Sequence, residues 1–502
     1  MNGNNALDSL KNKSFPVFYP DNNGREGLFI WLIAGAFAIF GPSVLAMKLV
    51  SSAIGILTVL GLYLMAKQLY KRGGIKDGRL EAISLLASFF LATSFWHTNF
   101  SRMGFRIVMV PFISVFFLYF LIRAFQERRV WQFVVSGVIF GLGFYTYTGF
   151  RFAVLILPFA FGPQLFIYLK ENQLKKFIRH ALIFFAAVFI ILLPFLSYFI
   201  QHPGDFIGRA SQVSVFNQAS PLKSFFISLA SHLAMFGIYG DQNWRHNYPE
   251  MAMLPMPLAI LFLAGALFSG QQIIVLSRWL IKDWLRKRPS PDSNNLQYAL
   301  FAFLLLLSWF FAMLMPGILT AEGIPHSLRA LGAVPVACLL AAIGAFKAFE
   351  FFSNHCSSKK LLYLTCGMIL FLIPLTQFNE YFYKWGLAQE TQDSFAANFV
   401  EVGNYLNSLP DNVNKYVIVN QDGVLVNGLP TPAQTVIFIE RTKYAEPRAI
   451  YLKPDEIQKI DATRSAVIVP LQKDAALLDK IYLSLPKGEI VNESNLSVYR
   501  IY

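Results

Sequence analysis

Four short stretches of this chain hold side chains whose types and spacing could do chemistry on an anion or a sugar. "WHTNFSRMGFR", residues 96 to 106, carries His97, Arg102 and Arg106, the two arginines four apart as for one face of a helix. Guanidinium forks match phosphate oxygens; a single arginine at such a place would be explained by snorkelling to headgroups, but several together suit an anionic ligand. "YTYTGFR" adds Tyr145, Tyr147 and Arg151. The tyrosines by themselves suit an interfacial aromatic belt, and Arg151 beside them strengthens a site. "AEGIPHSLRALG" brings Glu322, His326 and Arg329, with His326 and Arg329 expected on one face of a helix that starts after Pro325. "YGDQNWRHNYPEMAML", residues 239 to 254, supplies Asp241, Asn243, Trp244, Arg245, His246 and Asn247. Aromatic and amide side chains hold sugars by stacking and paired hydrogen bonds, although an ordinary interfacial loop has a similar composition.

A fifth stretch, "FYPDNNGREGLFIWL", residues 18 to 32, sets Asp21, Arg25 and Glu26 against an apolar run. Asp21 in "PDNNG" also reads as a turn former. Cys338, Cys356 and Cys366 show neither CxxC spacing nor histidine partners, so they receive no chemistry. No compact metal-ligand cluster is visible along the chain; metal ligands are therefore set at none, no cofactor is assigned, and a divalent metal stays open.

The elements that must position these residues are membrane helices. Of 502 residues, 55% are hydrophobic and 14% charged, with 50 phenylalanines, which is outside the soluble globular class. Apolar runs of about 20 residues recur roughly ten times before residue 380 and then stop. Spans are expected near 46–69, 81–96, 107–125, 131–147, 152–169, 181–200, 257–277, 298–315, 328–346 and 361–377. The run at 28–41 is short and broken by "FGPS", and is expected to lie at the interface.

The net charge of +14 does not point to nucleic acid, because the basic residues are spread over short loops. They alternate: Lys71, Arg72, Lys76 and Arg79; Arg128 and Arg129; Lys170, Lys175, Lys176 and Arg179; Arg278, Lys282, Arg286, Lys287 and Arg288; Lys347, Lys359 and Lys360. The positive-inside rule makes these cytoplasmic and puts 1–45, 97–106, 147–151, 201–256, 316–327 and 378–502 outside. The expected domains are a transmembrane part, 1–380, and an extracytoplasmic part, 381–502. In the latter, "SFAANFVEVGNYLNSL" and "KDAALLDKIYLSL" read as helices and "KYVIVN", "TVIFIE" and "SAVIVP" as strands, a small α/β domain. It holds no glycine-rich phosphate loop.

The first 27 residues are polar and carry no signal peptide. An outer N-terminus then needs either a transmembrane helix upstream of Met1 or unaided translocation of a short tail, and the reading favours the former.

In order along the chain, "FYPDNNGREGLFIWL", "LVSSAIGILTVLGLYLMAKQLY", "NFSRMGFR" and "EGIPHSLRALGAVP" resemble the GT-C membrane glycosyltransferases of the family 39, protein-mannosyltransferase and aminoarabinose-transferase type. The resemblance implies a mostly α, polytopic membrane fold. It implies transfer of a sugar, with inversion, from a polyprenyl-phosphate donor to a glycan, lipid or protein acceptor on the outer face of the cell membrane. It makes Arg25 the basic residue that meets the donor phosphate; the outer segments read above offer Arg102, Arg106, Arg151, His326 and Arg329 as further phosphate contacts. Tyr145, Tyr147, Asn243, Trp244 and His246 would face sugar or acceptor. The acidic pair that supplies the base in this family would fall at or before Met1; within the chain Glu26, Asp21 and Asp241 are the choices for it, ahead of Asp8. Rival readings are a flippase for lipid-linked saccharides and a non-catalytic membrane scaffold. Against the flippase, no charged residue is placed mid-span and no repeat of broken helices is seen.

Overall fold

A computed structural model describes residues 1–72, 77–249, 251–285, 293–493 and 496–502; Lys76, Arg286, Lys287 and Arg288 of the basic loops lie outside these. In lipid a backbone N–H or C=O has no water to bond, so apolar runs close their hydrogen bonds internally as helices. Among the described residues, eight helices are long and apolar enough to span a bilayer: Val44–Leu69, Arg106–Glu127, Thr148–Lys170, Leu174–Gln201, Met256–Asp283, Asn294–Ile318, Leu331–His355 and Lys359–Trp385. Gly78–Thr93 and Phe95–Arg102 form a ninth if taken together, bent by 58° at Ser94. The remaining expected span, 131–147, is helix only over Val130–Gly143. Its 14 residues reach about 21 Å, short of a hydrocarbon core of about 30 Å.

Contacts divide the chain into two units, Ser51–Gly386 and Met1–Val50 with Leu387–Tyr502. In the first, glycines let helix backbones touch. A Cβ on Gly265 would overlap the Leu340 carbonyl oxygen, and one on Gly344 the Leu261 carbonyl oxygen, so Met256–Leu285 and Val334–His355 cross in backbone contact. A Cβ on Gly137 would likewise overlap the Phe184 carbonyl oxygen, and one on Gly141, four residues on, would crowd the Ile191 side chain, so Val130–Gly143 packs closely on Leu174–Gln201. Lipid provides no hydrophobic drive between helices, and close packing of this kind replaces it. Two of the basic segments meet at Glu350, which pairs with both Arg79 and Lys347.

The second unit contains a five-stranded sheet in the order Ile450–Leu452, Asn414–Ile418, Ala466–Pro470, Leu496–Ile501, Gly488–Glu493. The first three strands are parallel and the last two pair antiparallel. Period-two alternation sends Val417, Val467 and Val469 to one core, and Tyr416, Ile418 and Ile468 to the other. Helices Ala397–Ser408 and Ala475–Ser484 stand where the sequence puts them, the latter capped by Asp474, whose carboxylate accepts from Leu477 N–H. "TVIFIE" corrects an expectation: it lies in helix Ala433–Arg441. Ala433, Val436 and Ile439 recur every third residue and are buried, and Ile439 packs on Gly403 of helix Ala397–Ser408. That helical stripe overrides a β-branched run.

The same unit takes in the N-terminal residues. Asn2–Asn12, polar in sequence, is a helix. Asn4 donates to both the backbone and the side-chain oxygen of Gln434 at 3.0 Å, and Arg441 donates to Asp8 at 2.7 Å. The helix is therefore fixed by tertiary bonds to Ala433–Arg441, which its own composition does not announce. The apolar run near 28–41 is helix Leu28–Phe40.

Candidate functional site

Among the described residues, a densely bonded polar centre in the Ser51–Gly386 unit surrounds Asp241. This carboxylate is 3% exposed. Its Oδ2 accepts from His246 Nδ1 at 2.9 Å, Ser327 N–H at 2.8 Å and Ser327 Oγ at 2.9 Å; its Oδ1 accepts from Asn243 N–H at 2.9 Å. Local geometry explains the last bond. Asn243 N–H to Asp241, and Arg245 N–H to the Asn243 side chain at 2.9 Å, are two successive Asx turns that wind residues 241–247 into a tight loop. The loop is closed by the Asn247 amide, which donates to Asp241 O and Met251 O.

His326 Nδ1 stands 3.9 Å from Asp241 Oδ2, and its ring centroid is 5.0 Å from that of His246. Its backbone N–H donates to His232 Nε2 at 3.2 Å, while His232 Nδ1 donates to Ser228 O at 2.8 Å. These two bonds require the neutral Nδ1–H tautomer of His232. Gly317 is glycine because a Cβ there would strike that ring.

Burial acts to raise the Asp241 carboxyl, but the His246 hydrogen bond, the neighbouring His246 and His326 charges and the Asn243 N–H outweigh it and hold the group below its ordinary value. Burial, then the Arg329 and His246 charges, push the His326 imidazole down to about 3. Burial is likewise the main cause that lowers His232.

One ligand atom each from Asp241, His246 and His326 lie within 4.8 Å of one another, so the three could hold a divalent cation of the kind that takes nitrogen and oxygen donors. Coordination through His246 Nδ1 would replace its proton, and hence its bond to Asp241. The sequence shows no compact cluster because Asp241 and His326 sit in different loops; only the fold joins them. Ser327 and His232 escaped the sequence reading for the same reason, His232 lying in helix Pro221–Ala234, inside what reads as loop.

The arginines are placed differently from expectation. Arg102 and Arg106 do not share a helical face, because the helix ends at Arg102, Gly104 turns the chain at φ +76° and Arg106 opens a separate 3-10 turn. Arg102 is exposed, its guanidinium over the rings of Tyr381 and Phe382 at 5.4 and 5.1 Å. Arg106 lies over Tyr147 at 5.6 Å. Arg151 stacks on Phe206 at 3.9 Å and donates to Phe206 O. His326 and Arg329 occupy a turn, since helix begins only at Leu331, and Arg329 is paired with Glu322 at 2.9 Å. Tyr145 donates its hydroxyl to Ile191 O at 2.7 Å and is buried against Phe195. Trp244 sets its ring edge-on to Tyr248, and its carbonyl accepts from Trp385 Nε1.

In the other unit, Arg25 is buried, and its two terminal nitrogens donate to Asn2 at 2.9 Å and Asn5 at 2.8 Å. Glu26 is fully buried beside it, in a two-residue strand paired with Phe18–Tyr19. Asp21 is exposed in the turn that joins them, where Asn22, Asn23 and Gly24 all have positive φ. Arg25 and Glu26 thus serve the local fold of the N-terminal residues.

Comparison with known proteins agrees with this architecture. Residues 28–198 match the model of the dolichyl-phosphate-mannose-protein mannosyltransferase family. No curated protein matches the chain in sequence. Among solved structures, ArnT from Cupriavidus metallidurans bound to undecaprenyl phosphate is similar with a TM-score of 0.54 at 12% identity, over 99% of this chain and 92% of that one. The apo form of the same protein gives 0.44 at the same identity and coverage. The chain is a polytopic membrane protein with the GT-C fold of membrane glycosyltransferases, extended by a small C-terminal α/β domain.

Proposed function

We propose that this protein transfers a sugar from a polyprenyl-phosphate donor to an acceptor at the membrane surface, with inversion at the anomeric carbon. The observation that supports this best is the match of residues 28–198 to a mannosyltransferase family within a fold shared with a protein whose structure holds undecaprenyl phosphate. In such a transfer the acceptor hydroxyl attacks the anomeric carbon and gives up its proton to bulk water, the bond to the phosphate oxygen breaks, and the polyprenyl phosphate leaves as an anion. Positive charge placed where that anion develops lowers the barrier. Arg102, exposed at the end of the bundle that carries the Asp241 loop, supplies such charge.

Asp241 is not suited to take the acceptor's proton, because both of its oxygens already accept hydrogen bonds. We assign it to positioning: it holds the loops that bear His246 and His326 in one place. A divalent cation held by Asp241, His246 and His326 would supply Lewis-acid stabilisation of a phosphate oxygen.

The test is release of undecaprenyl phosphate from a labelled undecaprenyl-phosphate sugar by the full chain in nanodiscs, with a membrane-lipid and glycan acceptor mixture. Wild type is expected to release it, and Asp241→Asn to release it at least about tenfold more slowly, through loss of charge-assisted bonds of about 1.5–3 kcal/mol. A wild-type chain that releases none from pentose, hexose or aminosugar donors would overturn the proposal.

A further inference from the structure

The sheet of the second unit has a topology that opens a crevice at one edge. Its first strand along the chain, Asn414–Ile418, lies between Ile450–Leu452 and Ala466–Pro470, and all three run parallel. The helix that follows Asn414–Ile418, Ala433–Arg441, buries Ala433 and Val436 in the core that holds Val417, Val467 and Val469. The helix that follows Ala466–Pro470, Ala475–Ser484, buries Leu477, Leu478 and Ile481 in the core that holds Tyr416, Ile418 and Ile468. Two neighbouring strands thus send their connections to opposite faces, and the loops leaving their carboxyl ends, 419–424 and 471–474, diverge. In open α/β sheets such a switch point is where ligands bind.

Amide side chains occupy this place. The Asn420 amide donates to Gln472 O at 2.9 Å, and Gln472 N–H donates to Asn420 Oδ1 at 2.8 Å, a reciprocal pair that ties the two loops. Gln421 Nε2 donates to Gln472 Oε1 at 2.8 Å. Loop tying accounts for Asn420 but not for the two glutamines. Gln421 keeps its carbonyl oxygen and one amide hydrogen, and Gln472 both amide hydrogens, without a partner among the described residues. Ordered against each other, they offer an acceptor and several donors side by side, the complement of neighbouring sugar hydroxyls, each of which donates and accepts.

The surroundings disfavour a phosphate. Asp422, Lys473 and Asp474 give the loops no excess of positive charge, and Asp474 already accepts from Leu477 N–H at 3.0 Å at the helix start where a phosphate would dock. Just along the chain, Val424 and Leu425 are exposed at the start of a hairpin, Leu425–Val426 with Leu429–Pro430, which Thr431 closes by donating its N–H and hydroxyl to Val424 O. Amides followed by an exposed aliphatic strip suit a sugar ring, with its rim of hydroxyls and its apolar C–H face.

We infer that this crevice binds an uncharged saccharide, the saccharide part of the acceptor, with Gln421 and Gln472 bonding its hydroxyls and Asn420 positioning Gln472. The acceptor role rests on the proposed transfer function; saccharide binding as such does not.

The experiment uses the full chain in nanodiscs with maltohexaose, a mannose hexasaccharide and chitohexaose as uncharged probes. At least one is expected to bind in saturation-transfer NMR and to slow backbone hydrogen exchange at residues 419–425 and 471–475 of the unmutated chain. Gln421→Ala combined with Gln472→Ala should weaken that binding about tenfold or more and leave the melting temperature near that of wild type, since neither side chain bonds the backbone. An anionic oligogalacturonate of equal length should bind no more tightly. Failure of every uncharged probe to bind, protection only elsewhere, binding that survives the double variant, or tighter binding of oligogalacturonate would overturn the crevice. In the turnover assay the double variant should need about tenfold more acceptor mixture for half-maximal release of undecaprenyl phosphate, at an unchanged maximal rate. An unchanged acceptor requirement would overturn the acceptor role. Turnover without probe binding would keep the transfer function and remove the crevice, whereas probe binding without turnover would keep the crevice and remove the transferase reading.

Discussion

Four donors from three residues converge on Asp241, and removing their acceptor strands them in a buried place. Asp241→Ala should therefore destabilise the protein by about 2–4 kcal/mol, read as a lower melting temperature in detergent. Asp241→Asn keeps the shape and one acceptor oxygen, and should lose less. The same residues give a metal prediction. Zn²⁺ that binds only the folded chain raises its melting temperature by mass action, so added Zn²⁺ should stabilise wild type and a chelator should reverse the gain. His326→Ala, which removes one of three ligand atoms, should abolish the response. An equal response in His326→Ala would show that the metal binds elsewhere.

Helix crossings decide which elements can stand beside the site. Met256–Leu285 and Val334–His355 approach until Gly265 and Gly344 meet opposing backbone carbonyls, and no rotamer change can make room for a side chain there. Gly344→Leu should force the helices apart and lower stability by about 1–3 kcal/mol or more, while Gly270→Leu on the first helix, where a Cβ meets nothing, should be near neutral. Thermal unfolding of the two variants side by side checks the pair; equal melting temperatures would refute close backbone contact. The bend at Ser94 is also an element-scale device, since it turns the short helix Phe95–Arg102 away from the line of Gly78–Thr93. A straight helix would not offer Asn99 to the 245 carbonyl on one face and Arg102, on another, to a groove lined also by Ile56, Leu60 and Leu85.

At the scale of the whole chain, residues from both termini make one unit. Asn4 and Asp8 are bonded to Gln434 and Arg441, and Lys11 pairs with Glu446. The double variant Asn4→Ala, Arg441→Met should release the N-terminal helix and speed proteolysis between residues 13 and 27 by about tenfold or more, since opening free energy sets the cleavage rate. Unchanged cleavage kinetics would show that these bonds contribute nothing to holding the helix.

Sequence by itself determined what depends on local period. Apolar runs of bilayer length gave the helices of the bundle; they fixed their ends less well, as the early stop at Gly143 shows. Short, near-continuous apolar runs in "KYVIVN" and "SAVIVP" read as strands, because a sheet buried on both faces leaves that signature. It misled at "TVIFIE", where the burial stripe belongs to a helix whose partner, Gly403, is remote in sequence. The residue types of the polar centre, Asp241, His246 and His326, were legible because charge at the end of an apolar helix stands out. Their meeting was not. Only the tertiary structure decided that Ser327 and His232 complete that centre, that Arg25 is bonded to Asn2 and Asn5, and that Arg102 lines a groove. The reason is physical: a hydrogen bond or a cavity is set by which helices pack together, and that information lies in contacts between distant residues, which no local pattern contains.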